Sequence, residues 1–426
     1  MIIHIVKENE TIWSIARLYG VSPQRIITDN GLNGLPFLVV GQALIILIPD
    51  IVHIVSAGET VFSISREYNI SEEELLQKNP TLINGILRAG DAIVIKYKGE
   101  SNRSMYIYGY FYPYINRAEL RRKLPYITSC AIFGYGFNYD GSLIEINDVP
   151  FINEINNYNA QPIILLTSID ENGTFNSEKS SELFNNIQLQ NAVLDNMIDV
   201  MQDKGYVGMD IDFEYIGADD SEAFTDFVRN AANKMHEYGF TVNVDLAPKT
   251  SDTQKGSLYE GHDYVKLGEL ADTVFVMTYE WGYTYGPPMA VSPLPNVRRV
   301  IEYAVTKIDR NKIIMGVPNY GYDWRLPYER GVSKARSIGN EEALRIAAEN
   351  GAEIKFDQTV QSPYFEYISA NRNNHIVWFE DVRSIQKKYD LITEFGLKGG
   401  GYWNLMRPFA QNWSFLSYYF NVIKTE

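Results

Sequence analysis

The chain is poor in the residues that supply covalent staples and metal chemistry. It has one cysteine, Cys130, and five histidines among 426 residues. A single thiol excludes an internal disulfide framework and suits a reducing compartment. Cys130 stands in the apolar stretch ITSCAIFGYG, where it reads as a small buried hydrophobe rather than a reactive thiol. There is no HExxH or CxxC pattern, so no metal site and no cofactor are expected. Basic charge is also scarce. Lys and Arg number 38 against 53 Asp and Glu, a formal charge of -15, which argues against nucleic acid or an anionic membrane as the main partner. Long apolar runs are missing too. The most apolar segment, FLVVGQALIILI at 37–48, is too short to span a bilayer and is interrupted by Gly41 and Gln42. The first residues, MIIHIVKENETIWSIA, lack a basic n-region, an apolar core and a small-residue cleavage site. The expectation is a soluble protein made without Sec-type export.

What the chain does have is ample apolar material, 45% of residues, enough for more than one domain. It opens with a repeat. HIVKENETIWSIARLYG at 4–20 returns as HIVSAGETVFSISREYN at 53–69, an offset of 49 that also carries Asn30 onto Asn79 and Gly41 onto Gly90. Each copy predicts a short strand (4–6, 53–55), a helix opened by Thr11 or Thr60, a second helix opened by Ser22 or Ser71, and a closing strand (ALIIL, AIVIK). The units run over 1–48 and 50–97. Both resemble the LysM module, through the turn and helix start GETV or NETI, the Asn before Pro or Gly, and the closing G-x-x-[IL]-x-[IV] strand. Repeat one departs from the pattern in having Asn9 at the turn glycine. The resemblance implies binding of N-acetylglucosamine-containing glycans, peptidoglycan or chitin, in a groove between the turns. Two copies would raise avidity without new contacts.

A polar stretch, KYKGESNRS at 96–104, has the composition of a linker. Beyond it, over 102–426, apolar runs alternate with helical patterns. The runs lie at 105–113, 126–136, 161–168, 206–215, 240–248, 272–280, 312–321 and 398–405. Eight strands with intervening helices in about 325 residues predict an α/β fold, a (β/α)8 TIM barrel. An open doubly wound sheet would instead favour a glycine-rich loop after its first strand, and GYFYPY is not one.

The fourth run, YVGMDIDFEY, sets Asp210, Asp212 and Glu214 two apart. Strand side chains alternate faces, so these carboxylates share the barrel side while Val207, Met209, Ile211 and Phe213 face the helices. Glu214 is placed at the C-terminal end of the strand, where barrel enzymes build their sites. Close carboxylates raise each other's pKa. Asp210 and Asp212 are expected to share a proton, and Glu214 to serve as a general acid. Structural salt bridging would need cations inside the barrel, and the strands offer few; Lys249 sits just past strand five. Divalent metal binding would need an oxygen-rich loop, and none is evident.

GMDIDFEY resembles the D-G-x-D-x-D-x-E motif of family 18 glycoside hydrolases, and the resemblance extends over 105–426. VMTYE (276–280), GVPNYGYDW (316–324), GGGYWNL (399–405) and YIYGYFYPY match that family's segments on strands six, seven, eight and one, in order. The resemblance implies that Glu214 is the proton donor, that Asp212 orients the substrate's 2-acetamido group, and that Asp210 supports Asp212. It further implies that Tyr279 hydrogen-bonds the acetamido carbonyl and that Trp403 stacks beneath the sugar. Tyr110, Met277 and Asn319 fall on the matched segments as candidate substrate contacts. The nucleophile in this family is the substrate's own acetamido oxygen. Two positions depart from the pattern. Val207 replaces the first acidic residue, on a face assigned to packing, and strand three reads LLTSID (165–170), keeping Ser168 without the family's two glycines.

Two LysM repeats before such a barrel, with MTYEWGYTYGPPMAVSPLP at 277–295, resemble the spore cortex fragment-lytic N-acetylglucosaminidases within the family. That resemblance implies action on cortex peptidoglycan or its fragments during germination, and deposition in the spore. A chitinase or endo-β-N-acetylglucosaminidase on another glycan, and a non-catalytic lectin on the same fold, are the alternatives; Glu214 argues against the lectin.

Overall fold

The computed structural model describes residues 1–83, 85–101, 103–169, 175–256 and 258–425. Asp170, part of the strand-three segment above, lies outside them.

In repeat one the strand Ile2–Ile5 pairs antiparallel with Ala43–Ile46, enclosing helices Ile12–Tyr19 and Pro23–Asn30. Repeat two pairs Pro49–Ile54 with Ala92–Tyr97 around Val61–Tyr68 and Glu72–Lys78. The helix starts are set by hydroxyl caps. Thr11 and Thr60 accept the N–H groups of Ser14 and Ser63, and Ser22 and Ser71 cap the second helices. The repeated asparagine has a physical task. Asn30 donates to Ile26 O and Ile45 O and accepts from Ile45 N–H, stapling the second helix to the closing strand. Asn79 does the same with Leu75 and Val94.

The barrel strands are β1 Arg103–Phe111, β2 Ser129–Phe137, β3 Gln161–Thr167, β4 Gly208–Asp212, β5 Thr241–Leu246, β6 Thr273–Val276, β7 Ile313–Pro318 and β8 Gly399–Trp403. Each pairs parallel with the next, and β8 pairs with β1 to close the ring. All eight sequence-predicted strands form, and the fold is the (β/α)8 barrel. Parallel strands are buried on both faces, which is why they read as near-continuous apolar runs. One layer, including Met209, Ile211 and Phe213, packs sheet against helices. A second, including Tyr108, Tyr110, Ala131, Phe133, Leu165 and Phe275, fills the barrel interior.

The linker expectation is corrected. Tyr97 is wholly buried, Ser101 N–H bonds Tyr418 O at 2.9 Å, and Tyr418 Oη bonds Lys98 O at 2.9 Å. Aromatic and backbone contacts override the polar composition, and the segment is docked against the C-terminal helix Ala410–Tyr419. Val207 is corrected as well. It precedes β4 and is 38% exposed at the N-terminal rim, so it is not part of the helix-facing core.

A feature absent from the sequence reading is an insertion between β7 and β8. Five antiparallel strands, in the order Arg336–Ile338, Gly321–Arg325, Asn374–Trp378, Ser362–Ile368, Lys355–Asp357, form a sheet carried with the helix Asn340–Glu349. Because it leaves the barrel at the C-terminal end of β7, it rises beside the mouth where a barrel site is built.

Candidate active site

The register of β4 delivers its acidic residues inward. Asp210 stands opposite Asn243 of β5, and Asp212 opposite Thr167 of β3. Asp210 is fully buried and saturated: Tyr108 Oη donates to its Oδ2 and Asn243 Nδ2 to its Oδ1, both at 2.7 Å. Asp212, one pair higher, is 4% exposed, and its Oδ1 has no hydrogen-bond partner among the described residues. β4 ends at Asp212, so Glu214 lies in the loop just beyond the strand, half-buried at the mouth. His262 fixes that loop. Its Nδ1 accepts Ala247 N–H at 2.9 Å, which leaves Nε2 to donate to Phe213 O at 3.3 Å. Burial lowers the His262 pKa to about 4, so the ring is neutral at neutral pH.

The mouth holds a cleft of about 480 Å³. Asp212, Glu214, Tyr279, Met277 and Trp403 line it, so five of the eight candidates meet in one space. Asp210 lies directly beneath as support. The other two are placed elsewhere. Tyr110 is 1% exposed, its Oη bonded to Asp245 Oδ1 at 2.6 Å and its ring 5.7 Å from that of Trp403, so it underlies the floor; Tyr112, two residues on, lines the cleft. Asn319, 1% exposed, donates to Asn404 O and Arg407 O at 2.9 Å each and ties down the segment after β8.

Two carboxylates escaped the sequence reading. Asp245, on β5, lines the cleft and is 4% exposed; Asn243 bridges it to Asp210, reaching Asp245 Oδ1 at 3.2 Å. Its signal was available, since Asn243 and Asp245 repeat the period of two seen on β4. Glu280, in the matched VMTYE, stands at the rim and accepts from Tyr320 Oη at 2.5 Å and Tyr322 Oη at 3.0 Å.

No ion pair reaches Asp210, Asp212, Glu214, Asp245 or Glu280 among the described residues, and Lys249 Nζ is spent on His262 O. Without cations, burial and mutual repulsion decide the protonation states. Burial, followed by the charges of Glu214 and Asp210, holds Asp212 well above the usual carboxylate range. Burial raises Asp210 to about 6 against the pull of its hydrogen bonds, and raises Glu214 to about 7 with help from Glu280. Burial and the charges of Asp210 and Asp212 push Asp245 up as well. At neutral pH this set holds protons, and Glu214 is among the groups raised toward that range. Around it stand Tyr112, Phe133, Tyr215, Trp281 and Trp403, an aromatic lining suited to the flat faces of sugars.

Comparison with known proteins identifies the family. Residues 106–407 match the model of glycosyl hydrolases family 18, and residues 4–47 and 53–96 each match the LysM domain. The chain is 37% identical to the cortical fragment-lytic enzyme of Bacillus anthracis over 98% of both proteins. It is 42% identical to that of Bacillus subtilis (strain 168) over 71% of this chain and 70% of that protein. The crystal structure of the Bacillus cereus spore cortex-lytic enzyme SleL superposes with a TM-score of 0.84 at 34% identity, covering 100% of this chain and 99% of that one. The chain therefore belongs to glycoside hydrolase family 18, with two LysM domains preceding its barrel.

Proposed function

We propose that the chain is a retaining, substrate-assisted N-acetylglucosaminidase that acts on spore cortex peptidoglycan or its fragments. The observation that carries the reading is Asp212: a buried carboxylate with an unpaired oxygen, set between a saturated Asp210 below and a titratable Glu214 above. An unpartnered buried acceptor is costly, and an acetamido N–H arriving with the substrate would satisfy it.

In the proposed course, Trp403 stacks under the sugar and Tyr279 donates to the acetamido oxygen. Glu214 protonates the glycosidic oxygen as the C1–O bond breaks. The acetamido oxygen attacks C1 to give a cyclic oxazolinium ion, whose N–H donates a hydrogen bond to Asp212 and keeps its proton until water opens the ring. Glu214, now a carboxylate, takes a proton from the water that opens the ring, and configuration at C1 is retained. The cortex assignment is supported by the names of relatives that share the whole architecture, and the spore is the location we propose with it.

The test is Glu214→Gln, which keeps the side-chain shape and removes the transferable proton. Turnover of a soluble N-acetylglucosamine oligosaccharide should fall by about 10²–10⁴-fold with pelleting on insoluble peptidoglycan unchanged. Near-normal turnover would refute the mechanism.

A further inference from the structure

The two repeats superimpose at an offset of 49, so their last turns can be compared position by position. In repeat one the turn reads Val39-Val40-Gly41; in repeat two it reads Arg88-Ala89-Gly90. Their surroundings are opposite. Val39 is 3% exposed and belongs to the hydrophobic core of the β7–β8 insertion, with Ile338, Leu344, Phe365 and Phe379. Ile354 N–H bonds Val40 O at 2.9 Å, and a Cβ on Gly41 would collide with the Ile354 carbonyl. Arg88, Ala89 and Gly90 are exposed, and a Cβ on Gly90 would meet nothing within 4 Å.

The insertion seated on repeat one also reaches Glu280, which lines the cleft. Phe379, in the Val39 cluster, packs against the backbone of Gly321, so closely that Gly321 has no room for a side chain. On either side of Gly321, Tyr320 and Tyr322 hold Glu280 by their hydroxyls, and Glu280 lines the cleft together with Glu214. A continuous packed path thus runs from the turn of repeat one to the rim of the active site.

We propose that the repeats have divided their work: the last turn of repeat one is a brace that positions the cleft wall carrying Glu280, and the glycan-facing turn is that of repeat two. Val39 and Gly41 are positioning residues that act through Phe379, Gly321 and the two tyrosines. The repeat-two half rests on the glycan-binding reading of the LysM domains; the brace does not. The hydrophobic Val39-Val40 pair, against the polar Arg88 at the matched position, is what each role requires.

Full-length variants test both halves. Val39→Ala should lower kcat on a soluble oligosaccharide several-fold with KM little changed, and Val39→Ile should restore it. Val39→Ala should pellet with insoluble peptidoglycan as the unaltered protein does, while Ala89→Asp should weaken pelleting by about tenfold. A Val39→Ala protein with a lowered Tm but unaltered kcat and KM would overturn the brace, as would loss of pelleting in that variant. Undiminished pelleting of Ala89→Asp would overturn the assignment to repeat two. If the unaltered protein does not pellet at all, the glycan-binding reading fails and the repeat-two assignment with it, while the kinetic comparison still judges the brace.

Discussion

Each carboxylate of the site differs from its neighbour by one step along a strand, and that step decides its chemistry. Asp210 is deep enough to be met by Tyr108 and Asn243, Asp212 one pair higher has an open oxygen, and Glu214 beyond the strand is half-buried. Glu280 tunes the last of these. Its charge adds to burial in raising Glu214 to about 7. The protonated form is the one that donates, so activity should fall as pH rises through this value. Replacing Glu280 with Gln removes the repulsion, Glu214 loses its proton at lower pH, and the alkaline limb of kcat/KM moves downward; an unmoved limb would separate the two groups. Most of this was legible from alternation alone. Depth was not: Tyr110 and Tyr112 point the same way, and only the register against Asp245 and Trp403 puts the first under the floor and the second in the cleft.

The same segment also shows what its other face contributes. Phe213 sits among Phe137, Phe184, Phe224 and Phe227, with ring centroids 5.2 to 6.5 Å away, and His262 anchors its carbonyl. Phe213→Ala should cost about 3–5 kcal/mol by denaturant unfolding and loosen the loop that carries Glu214, whereas a loss under 1 kcal/mol would mean the loop is held elsewhere. The eight barrel strands were readable because strands buried on both faces are apolar throughout. The insertion was not, because its strands are short and mix charged with apolar residues, as in YDWR, RSI and SPYFEYI, and the first of them overlaps a motif already assigned to β7. Elements such as these are specified by their partners more than by their own pattern.

The whole molecule is more tightly joined than its composition implied. Arg25 of repeat one donates to Lys78 O and to Tyr97 Oη of repeat two, and Gln77 bonds Pro125 O at 2.7 Å while Tyr126 returns a bond to Gln77 O at 2.7 Å. Gln411, from the helix after β8, bonds Asn30 and Ala43 of repeat one. The repeat was plain in the sequence, but its docking was not, since a contact needs both surfaces to be seen. Removing residues 1–98 would uncover Tyr126, Trp413 and Tyr418, each now under 8% exposed. At about 1.5–3 kcal/mol for a large apolar side chain, the truncated barrel should melt several degrees lower; an unchanged Tm would show that the docking adds nothing to stability. The central claim is the reaction itself, and the most direct measurement is mass spectrometry of the products from purified cortex peptidoglycan. The account predicts new reducing ends on N-acetylglucosamine, formed by the unaltered protein, absent with Glu214→Gln, and lost when the substrate is de-N-acetylated. New ends on the other sugar of the strand, or cleavage that survives removal of the acetyl group, would contradict it.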